Sequence, residues 1–381
     1  MTDMEFKKIK SVDLLLQEDL TTKTVIVRVD FNVPVHNGQV TDDYRLQTAY
    51  PTVSALAKAG AKVVIISHAG DNKSLEPVAS YFNRNFLATD WIPDLNTAGD
   101  EIKQKPAGAV MVIENLRFNE GEKRNTEEFG RLLAGWGDYY VNEAFSVCHR
   151  EHASMVGIPQ SLPAFGGYRL LAEIENLNKV LNTEAKTFLI LGGLKFATKV
   201  PVLDKFLPKV EGVFIGGALV NSFLKARGLP VGHSIVEEDL SLLDAYKNET
   251  KIILPEEVEV ETGSGQRITK AVTEVLADEV IGDIGQKAAA QAATLASQAE
   301  MVVWNGPLGN FESGFNKGTL TLAEKLTAKS DIFTVVGGGD TVAALVDYGL
   351  VDKFSFVSTG GGAMLDFLAQ GNLPGLEVLM D

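Results

Sequence analysis

"RLQTAYPTVSALAKAGAKVVIISHAG", residues 45–70, joins two patterns of different period. Up to Gly60 the apolar residues recur at spacings of three to four, as on one face of a helix. From Val63 they close into an unbroken apolar run that stops at Ser67 and His68. Such a run, without polar alternation, suits a strand covered on both faces, which is the condition of a parallel sheet flanked by helices. The same alternation continues through "TVIVRVDFNVP", "GAVMVIENLRF", "NTEEFGRLLAGWG" and "DYYVNEAFSV" in the first half of the chain. In the second half it continues through "TFLILGGLK", "GVFIGGALV", "MVVWNGPLGNF", "DIFTVVGGGDT" and "KFSFVSTGGGA".

With 381 residues, the chain is long enough for two cores. The fold expected is therefore α/β, with two doubly wound parallel-sheet (Rossmann-like) domains. "SLPAFGGYRLLAEIENLNKVLNT" reads as a turn followed by an amphipathic hinge helix, which sets a first domain at 1–165 and a second from 166. Lys plus Arg number 35 against 50 Asp plus Glu, a net charge of −15. That balance argues against a nucleic-acid partner or a polybasic membrane contact. Any anion site must gather its arginines locally. The single cysteine, Cys148, excludes an internal disulfide or a cysteine-based zinc cluster and reads as an inert buried thiol. "MTDMEFKKIKSVDLLLQEDL" has no signal-type apolar core and no run reaches membrane-spanning length, so a cytoplasmic setting is expected.

Ligands of such sheets bind beyond the carboxyl ends of the strands, and there the halves diverge. First-half strands end in Arg28, Asp30 and Asn32, in His68, in Glu114, Asn115 and Arg117, and in Asn142 and Glu143. Second-half strands end in glycines, Gly216 and Gly217 among them. Glycine lets a backbone approach a ligand and lets successive N–H groups face an anion. One half looks built to grip a compact anion with side chains, the other to lay a nucleotide along its backbone.

Several motifs sharpen this division, each with a plainer alternative. "VVGGGDT" (335–341) leads from a strand into a helix start, where N–H groups attract phosphate. Asp340 would repel it unless a Mg²⁺ bridges the two, as hard cations do; the alternative is simple capping by Gly339 and Asp340. "LGGLKFATKV" (191–200) sets Lys195 and Lys199 on one face if helical, able to clamp a transferring phosphoryl group, or else as solvated lysines. "WNGPLGNFE" (304–312) carries Asn305 and Glu312 in a loop suited to ribose hydroxyls, or an ordinary turn. "RVDFN" puts Arg28, Asp30 and Asn32 on one face, with an internal Arg28–Asp30 ion pair as the alternative. In "CHREH" (148–152), anion contact through His149 and Arg150 is favoured over a metal pair. No P-loop and no strand-linked G-x-G-x-x-G occurs.

Taken in order, "RVDFNVP", "ISHAG" with "SLEPVA", "ENLRF", "HREHASMVGIP", "LGGLK..TK", "VWNGPLGNFE", "GGGDT" and "STGGGA" resemble the phosphoglycerate kinase family over essentially the whole chain. The resemblance implies a monomeric two-lobed enzyme that moves phosphate between ATP and 3-phosphoglycerate in glycolysis and gluconeogenesis, giving ADP and 1,3-bisphosphoglycerate. It implies a 3-phosphoglycerate domain at 1–165, a Mg-nucleotide domain at 166–365, and a segment 366–381 returning to the first. Matched by motif, Asp30, Phe31, Asn32, Arg45, His68, Arg117 and Arg150 would be substrate contacts. Lys199, Gly216, Gly217, Gly285, Asn305, Glu312, Gly338, Gly339, Asp340 and Thr341 would be nucleotide contacts, Gly285 on a weaker match, with Asp340 facing Mg²⁺.

The acceptor is a carboxylate, ionised near pH 7, so no general base is called for. The chain must supply alignment and positive charge, for which Arg45, Lys195 and Lys199 are the candidate catalytic cations, completing the site when the lobes close. The family's usual His-Leu-Gly-Arg-Pro is replaced by His-Ala-Gly-Asp-Asn at 68–72, so Asp71 stands where a substrate-side arginine is usual. A several-fold loss of affinity is expected from it.

Overall fold

The computed structural model describes residues 9–380; residues 1–8 and 381, which open the first expected domain and close the returning segment, lie outside the described residues. The chain divides into two compact units, one running to Asn178 and completed by the chain from Gln370 onward, the other spanning Lys179–Ala369.

In the first unit, strands β1 (Thr24–Arg28), β4 (Lys62–Ile66), β5 (Asp90–Ile92), β6 (Val110–Ile113), β7 (Tyr139–Asn142) and β8 (Ala164–Gly166) form a sheet in the order β5-β6-β4-β1-β7-β8. All its neighbours are parallel. The middle strands are buried along nearly their whole length, which is why they read as continuous apolar runs. Between β1 and β4 lie the hairpin β2 (Val35–His36) and β3 (Gln39–Val40) and the helix Tyr44–Lys58. Asn37 and Gly38 turn that hairpin with φ of 51° and 76°, the conformation that Asn-Gly pairs favour. The chain from Gln370 onward closes on this unit: Gly375 N donates to Cys148 O at 2.8 Å, and Asn142 Nδ2 donates to Gly375 O at 3.3 Å.

The second unit repeats the plan with β9 (Thr187–Leu191), β10 (Gly212–Ile215), β11 (Ile252–Ile253), β15 (Met301–Asn305), β16 (Phe333–Gly337) and β17 (Phe356–Val357), in the order β11-β10-β9-β15-β16-β17 and again parallel. The α/β reading with two parallel sheets is what the structure has. It adds an antiparallel sheet of β12 (Glu257–Glu261), β13 (Arg267–Ala271) and β14 (Val280–Ile284) that periodicity had not singled out. The signal was there: "EVEVE" alternates, Val258 and Val260 are buried, and "TGSG" supplies a turn.

Helix Tyr168–Leu181 begins in the first unit and holds the boundary at Asn178 near its end. Its start rests on Glu143, just past β7. Glu143 Oε1 accepts from Thr52 Oγ1 at 2.8 Å and Arg169 N at 2.9 Å, while the buried Oε2 has no hydrogen-bond partner. A Cβ at Gly167 would sit 1.7 Å from Oε2, so any side chain there would have to displace the Glu143 carboxylate. Burial pushes the Glu143 carboxyl up to about 7, against the pull of the Arg169 N–H and Thr52. A pKa raised on folding gives stability that is complete below the unfolded value and lost as pH climbs through the folded one. The window is therefore about pH 4.5 to 7, worth at most about 3 kcal/mol. Glu143→Gln, which mimics the protonated acid, should raise the melting midpoint relative to the parent at pH 8 and do little at pH 4.5. An equal difference at both pH values would refute the buried-acid account.

Candidate active site

The carboxyl ends of β1, β4, β6 and β7 bring one cluster of polar side chains together in the first unit. Arg28, fully buried, ends β1. Its Nε donates to Ser154 Oγ at 2.9 Å, and Ser154 Oγ donates to the buried Glu122 Oε1 at 2.6 Å. Arg28 Nη2 lies 3.2 Å from His68 Nδ1. Arginine carries only donors, so Nδ1 must accept and the proton sits on Nε2. Burial, followed by the Arg28 charge, holds the His68 pKa well below the usual imidazole range against the opposing pull of Asp30. His68 is thus a neutral donor among cations.

Asp30 lies just past β1, buried, and binds Arg45 from the first turn of helix Tyr44–Lys58. Arg45 Nη1 donates to Asp30 Oδ2 at 2.6 Å and to Asn32 O at 3.0 Å. Ser146 Oγ donates to the same carboxylate oxygen, and Asn32 N to Oδ1 at 3.1 Å. Burial alone would raise the Asp30 carboxyl, but Arg45 and the hydrogen bonds outweigh it and hold it at about 2. Arg117, mostly buried, comes from the short 3₁₀ turn Leu116–Phe118 after β6 and donates to Ala69 O at 3.4 Å. Burial, then Arg150 and Arg28, lower its pKa; its buried Nε has no hydrogen-bond partner. In a chain of net charge −15, this local concentration of guanidinium groups has the chemistry to hold an anion.

In the second unit, glycines let the loops after β9, β10 and β15 pack backbone against backbone. Gly193 N donates to Pro307 O at 3.0 Å and Gly217 N to Leu308 O at 3.0 Å. Gly217, at φ +60°, would put a Cβ 2.5 Å from Gly193 N. Beside this knot is a cavity of about 410 Å³ whose lining includes Gly193, Gly217, Asn221, Pro307, Glu312 and Asp340. Asp340 lies in the first turn of helix Gly339–Asp347, where the leading N–H groups have no intrahelical acceptor. Thr341 Oγ1, next to it, is buried with no hydrogen-bond partner. Lys199 is buried. Burial pushes its amine down while Asp340 and Glu237 hold it up, and its Nζ contacts Thr198 Oγ1 at 3.2 Å.

A family model described as phosphoglycerate kinase matches residues 15–371. The chain belongs to the phosphoglycerate kinase family. Curated phosphoglycerate kinases from Dictyoglomus turgidum and Francisella tularensis subsp. novicida are each 39% identical to it, over 98% and 99% of this chain and 99% of either relative. The solved phosphoglycerate kinase of Coxiella burnetii superposes with a TM-score of 0.78 at 34% identity, and that of Pyrococcus horikoshii with 0.86 at 29%. Each match covers 97% of this chain and 98% of the solved one. Members of this phosphoglycerate kinase family are phosphotransferases, and so is this chain.

Against that frame of strands, the residues singled out from sequence fall into place unevenly. Asp30, Arg45, His68 and Arg117 converge, with Arg150 exposed at the rim, its Nε 3.2 Å from His149 Nε2. Asn32 is exposed, giving its carbonyl to Arg45. Phe31 faces the other way, into the core against Phe82 at 5.2 Å, leaving only its backbone near the site. Asp30 pairs with Arg45 rather than Arg28, so the internal Arg28–Asp30 pair weighed from the alternation is not what forms. Gly216 packs on Leu308, and Gly285 packs on Glu257 at the start of helix Gln286–Ala296; neither lines the cavity. Asn305 is buried against Met364 Sδ at 3.9 Å. Lys195 and Lys199 do not share a helical face: Lys195 is extended and exposed, a 3₁₀ turn covers Phe196–Thr198, and Lys199 is buried. Asp71 is not a bare anion, since Lys123 Nζ donates to its Oδ1 at 2.6 Å. Sequence reading passed over Glu122, Ser146 and Ser154, which carry no motif of their own.

Proposed function

We propose that this chain transfers a phosphoryl group reversibly between ATP and 3-phosphoglycerate, giving ADP and 1,3-bisphosphoglycerate. The observation that carries the reading is the anion site of the first unit, where Arg45 and Arg117 surround a neutral His68 within a strongly acidic chain. In this reading Asp30, Asn32, Arg45, His68, Arg117 and Arg150 hold the glycerate phosphate and orient its carboxylate. The cavity of the second unit takes the nucleotide, with Glu312 toward ribose and the Gly338–Thr341 turn toward phosphate.

Asp340 is the residue that would hold Mg²⁺. A single carboxylate at a helix start fits an ion bound mainly through nucleotide phosphates; among the described residues no group of three or more acidic, His or Cys side chains forms a cage. The ion would supply positive charge to the phosphate oxygens. One carboxylate oxygen of the glycerate attacks the γ-phosphorus, the bond to the β–γ bridging oxygen breaks, and ADP leaves with that electron pair. Lys199 and Arg45 place positive charge where the transferring oxygens pass. Because the two ligands bind to different units, direct transfer requires the units to close, which would also keep water from the acyl phosphate. We place the enzyme in the cytoplasm and as a monomer, in line with its resemblance to the family.

A coupled assay with Mg-ATP and 3-phosphoglycerate should show turnover. Folded protein without turnover, yet binding either ligand, would make it a non-catalytic binding relative instead.

A further inference from the structure

At the outer edge of the arginine cluster, Asp71 Oδ1 is hydrogen-bonded to Lys123 Nζ at 2.6 Å and lies within ion-pair range of Arg117 Nη1 at 3.9 Å. The shared oxygen sets an upper limit on how far apart those cations stand, the sum of those two distances. Charge-assisted bonds are about 2.8 Å long, so two reach roughly 5.6 Å through one oxygen and further through two oxygens of one phosphate. The ammonium and the guanidinium are therefore close enough for a single tetrahedral anion to touch both.

Three further features make this more than a surface ion pair. Lys123 is on the short helix Glu120–Arg124, whose next residue inward, Glu122, is fully buried and anchored by Ser154 N at 2.9 Å. The backbone carrying Lys123 is thereby pinned to the same Arg28–Ser154 chain that orders His68. Arg117 Nε is buried with no hydrogen-bond partner, so the guanidinium has bonding capacity to spare. Finally, Lys123 and Asp71 are 44% and 63% exposed, so a solute can reach both without rearrangement of the core.

We propose that Lys123 is a further substrate-binding residue, gripping the phosphate of 3-phosphoglycerate together with Arg117, and that Asp71 is its positioning residue. A lone lysine ammonium on four flexible carbons is a poor anion ligand because it must be ordered each time it binds. Asp71 holds it beside Arg117 in advance. On this account the carboxylate that looked hostile to substrate helps it, by acting through the lysine. The inference rests on the reading that the first unit takes 3-phosphoglycerate.

Calorimetric titration of 3-phosphoglycerate into the full chain, with steady-state kinetics alongside, tests it. Lys123→Met should weaken 3-phosphoglycerate about tenfold and raise its KM, with kcat moving much less and the KM for ATP unchanged. Lys123→Arg should restore most of the affinity. Asp71→Asn should weaken binding by a smaller factor, and Asp71→Asn with Lys123→Met should be no worse than Lys123→Met alone. Affinity within twofold of the parent for Lys123→Met would overturn the proposal. Tighter binding by Asp71→Asn would also overturn it, because Asp71 would then be a competitor of the substrate. If the parent itself neither binds nor turns over 3-phosphoglycerate, the functional reading fails and this inference with it. If the parent binds and Lys123→Met matches it, only the inference fails.

Discussion

Lys199→Ala is expected to lower kcat by about two to three orders of magnitude, the usual loss when one donor to developing charge is removed. The affinity for 3-phosphoglycerate should stay within a few-fold, since the site proposed for it belongs to the other unit. Lys199 suits this role because its stem is buried while its amine is underused. It makes a 3.2 Å contact with its neighbour Thr198 Oγ1, and an ammonium has three protons to give. Asp340 pulls on its charge, which places the amine in the same field as the expected phosphates. Lys195 provides the internal comparison. It is exposed, so Lys195→Ala should cost far less. Steady-state kinetics on both variants, with direct titration of 3-phosphoglycerate, separates the two lysines. An unchanged kcat in Lys199→Ala would remove it from the reaction.

That contrast between two lysines four residues apart also shows where sequence reading stops. Strand runs were readable because a strand buried on both faces must be apolar throughout, and the polar residue that ends such a run is conspicuous. His68 and Arg117 were visible for that reason. What periodicity could not give is pairing across the sheet. Asp30 could have met Arg28, two residues away on the same face, yet it meets Arg45, fifteen residues on, because β1 and the helix Tyr44–Lys58 bring their ends together. Ser154 and Glu122 were invisible for a similar reason: they act through Arg28, and a serine in "HREHASMVG" carries no signal until the buried arginine it serves is in place. The glycine-rich turns were legible as places where backbone comes close. Much of that closeness serves the loops themselves, since Gly193 and Gly217 spend their N–H groups on Pro307 and Leu308. In the proposed function that leaves the first turn of helix Gly339–Asp347 for phosphate.

Arg45→Met should be the most damaging change in the first unit, for two separable reasons. One is electrostatic balance in the ground state. Asp30 is 8% exposed, and removing one partner of a hydrogen-bonded charge pair of this kind costs about 2–5 kcal/mol, mostly the penalty of the charge left behind. Its sign with pH follows from the carboxyl. In the parent, Asp30 sits near 2, below its unfolded value, so its contribution is present above about pH 4 and lost as pH falls through 2. Without Arg45, burial is no longer outweighed and the folded pKa rises. The variant's deficit should thus be greatest at neutral pH and shrink as the medium is acidified toward pH 4. The second reason is catalytic: in the proposed function the guanidinium that neutralises Asp30 is also the cation offered to the transferring phosphoryl group, and its loss should lower kcat/KM by about a hundredfold or more. Asp30→Asn added to Arg45→Met distinguishes the two. Removing the stranded charge should recover much of the stability at pH 7 and little of the activity. Recovery of both would mean that Arg45 only balances Asp30 and that the transferring phosphoryl group is stabilised by other cations.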